Sequence, residues 1–222
     1  MKIALCSVVL LTGSPCFVAY AQSKLPADLD PQSHARLPYL KKADMDAKGQ
    51  KVIETFRSPD DTLRGPLAFA AYNGGVAQAL LDLHNAAVTG GTLDPHTREL
   101  AIMVACRETN YNLEWNGHEP SALKAGIDAN VIDIVRNGRA LDRLSRKDAL
   151  SEKDAAVIRF GRELLGNKKV SSATFAKAVE LWGKRGVMDM VAVMNTYAVS
   201  GFFAIAVDEQ AAEGKQPLPQ MK

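Results

Sequence analysis

Apolar residues recur every three or four positions along most of the chain, which is the spacing of one face of an α-helix. The segment 76–91 carries such a stripe and ends in two glycines, which often terminate helices. Asp94 and Pro95 then supply an N-cap and a first-turn proline for a helix that runs through Cys106 or beyond. The pattern therefore predicts two successive helices in this part of the chain.

Similar stripes and capping residues predict helices in most of the remaining chain. They cover residues 44–56, 128–138, 151–167 and 171–186, and a last helix runs from 187 to roughly 212. Residues 64–75 should form a turn and a short apolar helix closed by glycines. The segment 111–126 should be helical with a kink or restart just after His118, because Pro120 removes an amide donor. No alternating run is long enough to predict a strand, so we expect an all-α domain of about eight helices.

The two ends of the chain lack this helical period. Residues 1–21 combine a basic start, an apolar run and small residues at 19–21, which is typical of a signal peptide cleaved after Ala21. We therefore expect a periplasmic or secreted protein. Residues 22–43 are rich in proline and polar side chains and should form an extended N-terminal arm. The helical domain is predicted over 44–212, and a flexible C-terminal tail over 213–222.

Composition narrows the possible partners. The formal net charge of +2 comes with no basic block, so we expect no nucleic-acid partner. Cleavage would leave Cys106 as the single cysteine, and its apolar neighbours favour a small buried core residue. The apolar segment 187–207 could be taken for a membrane span, but polar residues interrupt it at Asp189, Asn195 and Ser200. A buried core helix is the favoured interpretation, with no membrane span.

One helical segment combines aromatic and titratable residues. On a helix, positions three and four apart share a face, so we expect one stripe of Tyr111, Glu114, Trp115 and His118. Spacing alone favours an ordinary amphipathic helix in which Glu114 and His118 form a solvated pair. A metal site needs three or more converging ligands, so no metal is predicted, and the other histidines are not predicted ligands: His34, His84 and His96.

The segment TRELAIMVACRETNYNLEWNGHEPSALKAG resembles the signature of the carboxymuconolactone decarboxylase family, which includes the AhpD-like proteins. A weaker resemblance extends through RGPLAFA, NGRALDRLS and VIRFGRELL to most of the chain after residue 21. It implies an AhpD-like helical bundle that forms a homo-oligomer, either a trimer or a hexamer. In the AhpD-like branch, two cysteines stand seven and four residues before a histidine, and a glutamate in the preceding helix completes a proton relay.

This sequence departs from the AhpD-like pattern. Tyr111 and Glu114 occupy the two cysteine positions, while His118 matches the histidine and Glu99 the upstream glutamate. Without the two thiols, dithiol peroxidase chemistry cannot run at these positions. The remaining two carboxylates and one imidazole can move protons without a cofactor. The resemblance therefore favours a cofactor-free lyase that decarboxylates a small carboxylated or lactone substrate.

The lyase hypothesis assigns a role to each candidate residue. His118 would be the acid that reprotonates carbon, Glu114 its orienting partner and Glu99 the second relay member. Four further residues are candidates for substrate binding, with the arginines as carboxylate anchors: Arg98, Arg64, Tyr111 and Trp115. Two alternatives remain open at this point. One is an AhpD-like peroxidase that works through Cys106 or without a thiol, and the other is a non-enzymatic protein that binds an apolar or aromatic ligand.

Overall fold

A computed structural model describes residues 26–56, 58–65, 67–148, 150–211, 214–215 and 217–220, with the backbone alone at Lys147. The predicted signal peptide at 1–21 lies outside these residues. The described chain forms seven α-helices: α1 Ala47–Phe56, α2 Gly74–His84, α3 Pro95–Glu108, α4 Asn112–Lys124, α5 Ala129–Arg136, α6 Glu152–Gly161 and α7 Ser172–Ala206. The described residues contain no strand, only one isolated bridge between Lys41 and Thr62. The predicted all-α fold is confirmed.

Helix α3 forms the centre of the fold. Residues 100–106 are all apolar and at most 1% exposed, so no face of this stretch is left for solvent. The helix packs against α4, α5, α6 and α7, which together bury it. A second, smaller cluster lies between α1 and α2 around Val52 and Leu81. The main core therefore surrounds α3. The ends of the helices that pack against α3 can meet beside this central helix.

Several predicted helix starts are confirmed by their caps. The Asp94 side chain accepts a hydrogen bond from the Thr97 amide, and three further caps act in the same way: Asp128, Ser151 and Ser171. The predicted role of the glycine pair at 74–75 is wrong, because these residues begin α2 instead of closing a helix. Asn73 Oδ1 accepts hydrogen bonds from the amides of Gly75 and Val76, and a Cβ on Gly74 would clash with the Gly49 nitrogen of α1. Glycine is needed there because α1 and α2 approach so closely.

Two predicted helix breaks differ from the structure. Helix α4 continues through Pro120 and does not restart, since Trp115 and Ala122 anchor it to the core on both sides of the proline. The boundary predicted at Gly186 lies instead at Gly183, whose φ of 67° and ψ of 172° interrupt α7. Glycine adopts a positive φ without the steric cost of a Cβ. This interruption brings the helix count close to the predicted eight.

The described parts of the arm and of the tail pack onto the domain. In the arm, the Arg36 amide donates to the Val207 carbonyl at 2.7 Å, and Ala35 is fully buried beside the end of α7. In the segment predicted as a flexible tail, Leu218 is 4% exposed and Arg107 Nη2 donates to the Pro219 carbonyl at 2.7 Å. The described part of the tail thus contacts the end of α3.

Helix α7 is the one helix in the described chain that is long and apolar enough to cross a membrane by length and composition. Half of its most apolar window, 50%, is buried against the rest of the protein. Its buried residues include Met190, Met194 and Tyr197, which contribute to the cluster around α3. Core packing therefore accounts for much of its apolar character.

Candidate active site

His118 lies between two carboxylates where α3 and α4 face each other. Its Nδ1 is 2.9 Å from Glu99 Oε2, and its Nε2 is 3.3 Å from Glu114 Oε2. The side chains are only 22%, 12% and 12% exposed for His118, Glu99 and Glu114. A neutral imidazole has a single N–H, so only the doubly protonated ring can donate to both carboxylates. The three residues predicted as a proton relay are therefore brought together.

The charge of His118 follows from its surroundings. Burial alone lowers its pKa, but hydrogen bonds to Glu114 and Glu99 and the charges of these carboxylates outweigh burial and raise the pKa to about 9. His118 is thus an imidazolium at neutral pH, although an unperturbed histidine is mostly neutral there. The site holds a proton on a nitrogen that can release it to a stronger base.

Tyr197 of α7 brings a second histidine to this site. The His118 ring meets the Tyr197 ring edge-on, with centroids 4.9 Å apart and an interplanar angle of 89°. The centroid of the His84 ring is 6.1 Å from that of the same tyrosine. Burial lowers the pKa of His84, the Glu114 charge opposes this, and the His118 charge adds to it. Sequence reasoning missed both His84 and Tyr197, because neither belongs to a motif and both lie far along the chain from His118.

A cavity of about 180 Å³ opens beside His84, between α1, α2 and α7. Part of its wall is apolar and comprises Phe56, Leu67, Leu80 and Leu81. The polar part comprises Arg64, His84, Asn85, Thr196 and Ser200. His84 is the residue that both lines this cavity and contacts Tyr197. The cavity could hold a small ligand that has an apolar body and a few polar groups.

The two predicted arginine anchors occupy different positions. Arg64 lines the cavity, but its guanidinium binds Asp60 through two hydrogen bonds of 2.9 and 2.5 Å and its side chain is 55% exposed. Arg98 Nη1 reaches the Val88 carbonyl at 3.5 Å, and its buried Nε has no hydrogen-bond partner among the described residues. The positive charge of Arg98 also opposes the rise in the Tyr197 pKa that burial causes, so this guanidinium acts on the Tyr197 side of the site.

The predicted aromatic stripe is divided in the structure. Trp115 is fully buried, its Nε1 donates to Glu119 Oε2 at 3.3 Å, and the Arg136 guanidinium lies 5.0 Å from its ring. It therefore packs toward α5, while His118 on the same helix contacts Glu99 of α3. Tyr111, only 3% exposed, fills the connection between α3 and α4. Trp115 was predicted to contact the substrate. Its indole is fully buried and has no exposed surface for such a contact.

Cys106 is fully buried, as its apolar neighbours predict. Burial raises the pKa of its thiol well above the usual range, and the Glu114 charge adds to this effect. Because the thiolate is the reactive form, this position disfavours peroxidase chemistry through Cys106. In the described chain, no three His, Cys, Asp or Glu side chains are arranged to hold a metal ion. The His118 ring lies between the two carboxylates, so the three groups do not converge on one point.

The matched family agrees with the residues that form this site. Residues 74–150 match the model of the carboxymuconolactone decarboxylase family. This segment of the chain is similar to that family. The matched segment supplies His84, Glu99, Glu114 and His118, whereas Tyr197 comes from outside it. A search of curated proteins finds no match to the chain. The family domain supports a carboxymuconolactone decarboxylase-like or AhpD-like function in general terms.

Proposed function

We propose that the protein is a cofactor-free acid–base enzyme of the lyase type, which acts on a small carboxylated or lactone substrate. The observation that carries this proposal is the clamp around His118, in which Glu99 and Glu114 contact both ring nitrogens. A protonated imidazole in a partly buried pocket is a proton donor that needs no metal or organic cofactor. The cavity of about 180 Å³ that His84 lines is small enough to select small substrates.

The reaction we propose is decarboxylation of an unsaturated lactone acid. The bond between ring carbon and carboxylate breaks, carbon dioxide leaves, and the electron pair moves into the conjugated carbonyl as an enolate. His118 then donates its proton to carbon, and solvent returns a proton to the imidazole. Glu99 and Glu114 hold the ring in place and stabilise its charged form, so the acid is regenerated after each turnover.

Substrate orientation in this proposal depends on an arginine. Arg98 is the stronger candidate for the carboxylate anchor, because its Nε lacks a partner in the described structure whereas Arg64 already binds Asp60. A guanidinium binds a carboxylate with paired hydrogen bonds that set direction as well as distance. Replacing Arg98 by Lys should raise KM more than it lowers kcat.

The first experiment is consumption of carboxymuconolactone with carbon dioxide release by the Gln22–Lys222 protein beside its His118→Ala variant. We expect the variant to lose about 10²–10⁴-fold in rate, which is the usual contribution of a general acid. His96→Gln is the matched control, because His96 pairs with Asp154 away from the clamp. No turnover by the unaltered protein would reject this substrate, and equal rates for the protein and its His118→Ala variant would reject the role of His118.

We also propose that the protein is exported and forms a homo-oligomer. Large apolar side chains are exposed on two helices: Val76 and Leu83 on α2, and Met188, Phe202 and Ile205 on α7. Exposed apolar surface of this kind is usually covered by another protein surface. Light scattering should give a mass several times that of one chain, and the mature N-terminus should be Gln22. A monomer, or an uncleaved chain in a periplasmic fraction, would contradict these two proposals.

A further inference from the structure

His84 connects two parts of the site that are otherwise separate. The cavity of about 180 Å³ is lined by His84, whereas His118 and Glu114 are not part of its wall. The ring of Tyr197 lies near both histidines, with its centroid 6.1 Å from that of His84 and 4.9 Å from that of His118. A substrate in the cavity would therefore meet His84 first.

The local backbone presents His84 to the cavity. It is the last residue of α2, and the chain continues from it into a π-helical turn at Asn85–Thr89. Such turns widen the helix by one residue and are frequent at functional sites. Among the described residues, the His84 ring makes no side-chain hydrogen bond, in contrast to the two carboxylate contacts of His118. Its nitrogens can therefore serve a ligand.

We propose that His84 is a second catalytic residue, which exchanges a proton with an enolisable unsaturated lactone bound in this cavity. The inference rests on the proposed function, and it adds a base to the acid that His118 provides. The apolar wall formed by Phe56, Leu67 and Leu80 suits the ring of such a lactone. A lone histidine that faces an apolar cavity can abstract a proton only if it is neutral, and its environment meets this condition.

Two charged groups act on His84: the Glu114 charge raises its pKa and the His118 charge lowers it. The Tyr197 ring lies near it, and Arg64 lines the same cavity. Burial is the largest influence and lowers the His84 pKa below its ordinary value. At neutral pH the ring is therefore an unprotonated base, while His118 holds its proton. An acid and a base kept apart in this way can act together at one pH.

The step conserves atoms and electrons. The His84 nitrogen takes a proton from the carbon next to the conjugated system, so a C–H bond breaks and an N–H bond forms. The electron pair stays on the substrate as an enolate, with its charge on the carbonyl oxygen. Return of the proton to a different carbon of the same conjugated system shifts the double bond without any change in composition. The step needs no oxidant, reductant or second substrate.

The test is deuterium exchange into 2(5H)-furanone, an unsaturated lactone without a carboxylate, followed by proton NMR in heavy water. The Gln22–Lys222 protein should catalyse exchange at the ring CH₂, and His84→Gln should lower that rate at least about 100-fold. His96→Gln should keep the full rate. In the unaltered protein, the rate should rise with pH through a pKa below 6.5, and His84→Gln should lack this rise.

The outcomes separate this inference from the decarboxylase assignment. Exchange that needs His84 supports the inference even if carboxymuconolactone is not consumed, since no carbon dioxide is lost in the exchange. Absence of catalysed exchange, or equal exchange by His84→Gln, overturns it even if decarboxylation depends on His118. His84→Asn is a second variant, and circular dichroism shows whether each variant is folded. A folded variant that keeps the pH-dependent rise would also overturn the inference.

Discussion

His118 and His84 both lie near the Tyr197 ring, yet their protonation differs. Both are partly buried, and burial lowers the pKa of each. His118 has Glu99 and Glu114 within 2.9 and 3.3 Å of its nitrogens, and its pKa rises to about 9. Among the described residues no carboxylate contacts His84, and burial lowers its pKa. Direct hydrogen-bonded partners, more than depth in the protein, decide which of the two rings is charged.

The comparison explains how one small site can supply an acid and a base. A charged imidazole is costly in a poorly solvated place unless a carboxylate compensates it. The positive charge on His118 then makes a second positive charge on His84 less favourable. The charge on His118 thus favours the neutral state of His84.

Removing both carboxylates should have the largest effect on the comparison. In the double variant Glu99→Gln/Glu114→Gln, burial is left as the main influence on His118, so its pKa should fall from about 9 to below 6.5. NMR titration of labelled histidine measures the change. Glu119→Gln is the matched control on α4, because Glu119 pairs with Arg136 and Trp115 outside the clamp. A His118 pKa that stays near 9 in the double variant would refute the clamp.

Stability should depend on pH through His118. Because its folded pKa is raised, its contribution is fully present below the unfolded value of 6.5 and is lost as pH rises through about 9. The loss should be at most about 3 kcal/mol, from the linkage between pKa and free energy of unfolding. Urea unfolding at pH 6 and pH 10 measures it. His118→Gln should lack this component, so equal losses in both proteins would contradict the prediction.

Glu209 shows the effect of burial on an acid that has no compensating partner in the described structure. Its Oε2 is buried without a hydrogen-bond partner in the described structure, and burial, followed by the Glu114 charge, raises its pKa to about 7. The unfolded acid ionises near its ordinary value of 4.5, so stability is lost as pH rises from there to about 7, and the full loss is present above that pH. Glu209→Gln should raise the free energy of unfolding by about 1–2 kcal/mol at pH 8, with no gain at pH 4. A gain of equal size at both pH values would exclude ionisation as the cause.

Tyr197→Phe should give the smallest effect. The contacts of Tyr197 with His118 and His84 are made by the ring, and its hydroxyl makes no hydrogen bond among the described residues. The variant should change stability by less than about 0.5 kcal/mol and leave both histidine pKa values unaltered. Tyr197→Leu is the contrasting variant, because it removes the aromatic ring that lies near both histidines. A shift of either pKa in Tyr197→Phe would show that the hydroxyl takes part in the site.

Parts of the fold were predictable because their causes are local. Asp94 caps α3 as its sequence position indicates, since a cap needs only the next three residues. The apolar run 100–106 has no polar face, so its central position follows from composition. Predictions failed where packing decided the outcome. Gly74 opens α2 because α1 lies against it, and α4 continues through Pro120 because the core holds both of its halves.

The features of the site also fall into those with local causes and those that packing decides. Helical spacing alone places Glu114 and His118 on one face, and resemblance to the family motif adds Glu99. Nothing in the spacing of α4 indicates that Trp115 packs toward α5 while His118 packs toward α3. That division depends on which neighbouring helix each side chain contacts. The local sequence of α4 does not determine those neighbours.

The sequence by itself determined the helical fold, the caps and the pairing of an acidic and a basic residue on α4. The tertiary structure alone decided which residues lie around His118: Glu99 from α3, Tyr197 from α7 and, near the Tyr197 ring, His84 from α2. The physical reason is that charge depends on distances of a few ångströms between residues that lie far apart along the chain. Such distances arise only when the helices pack.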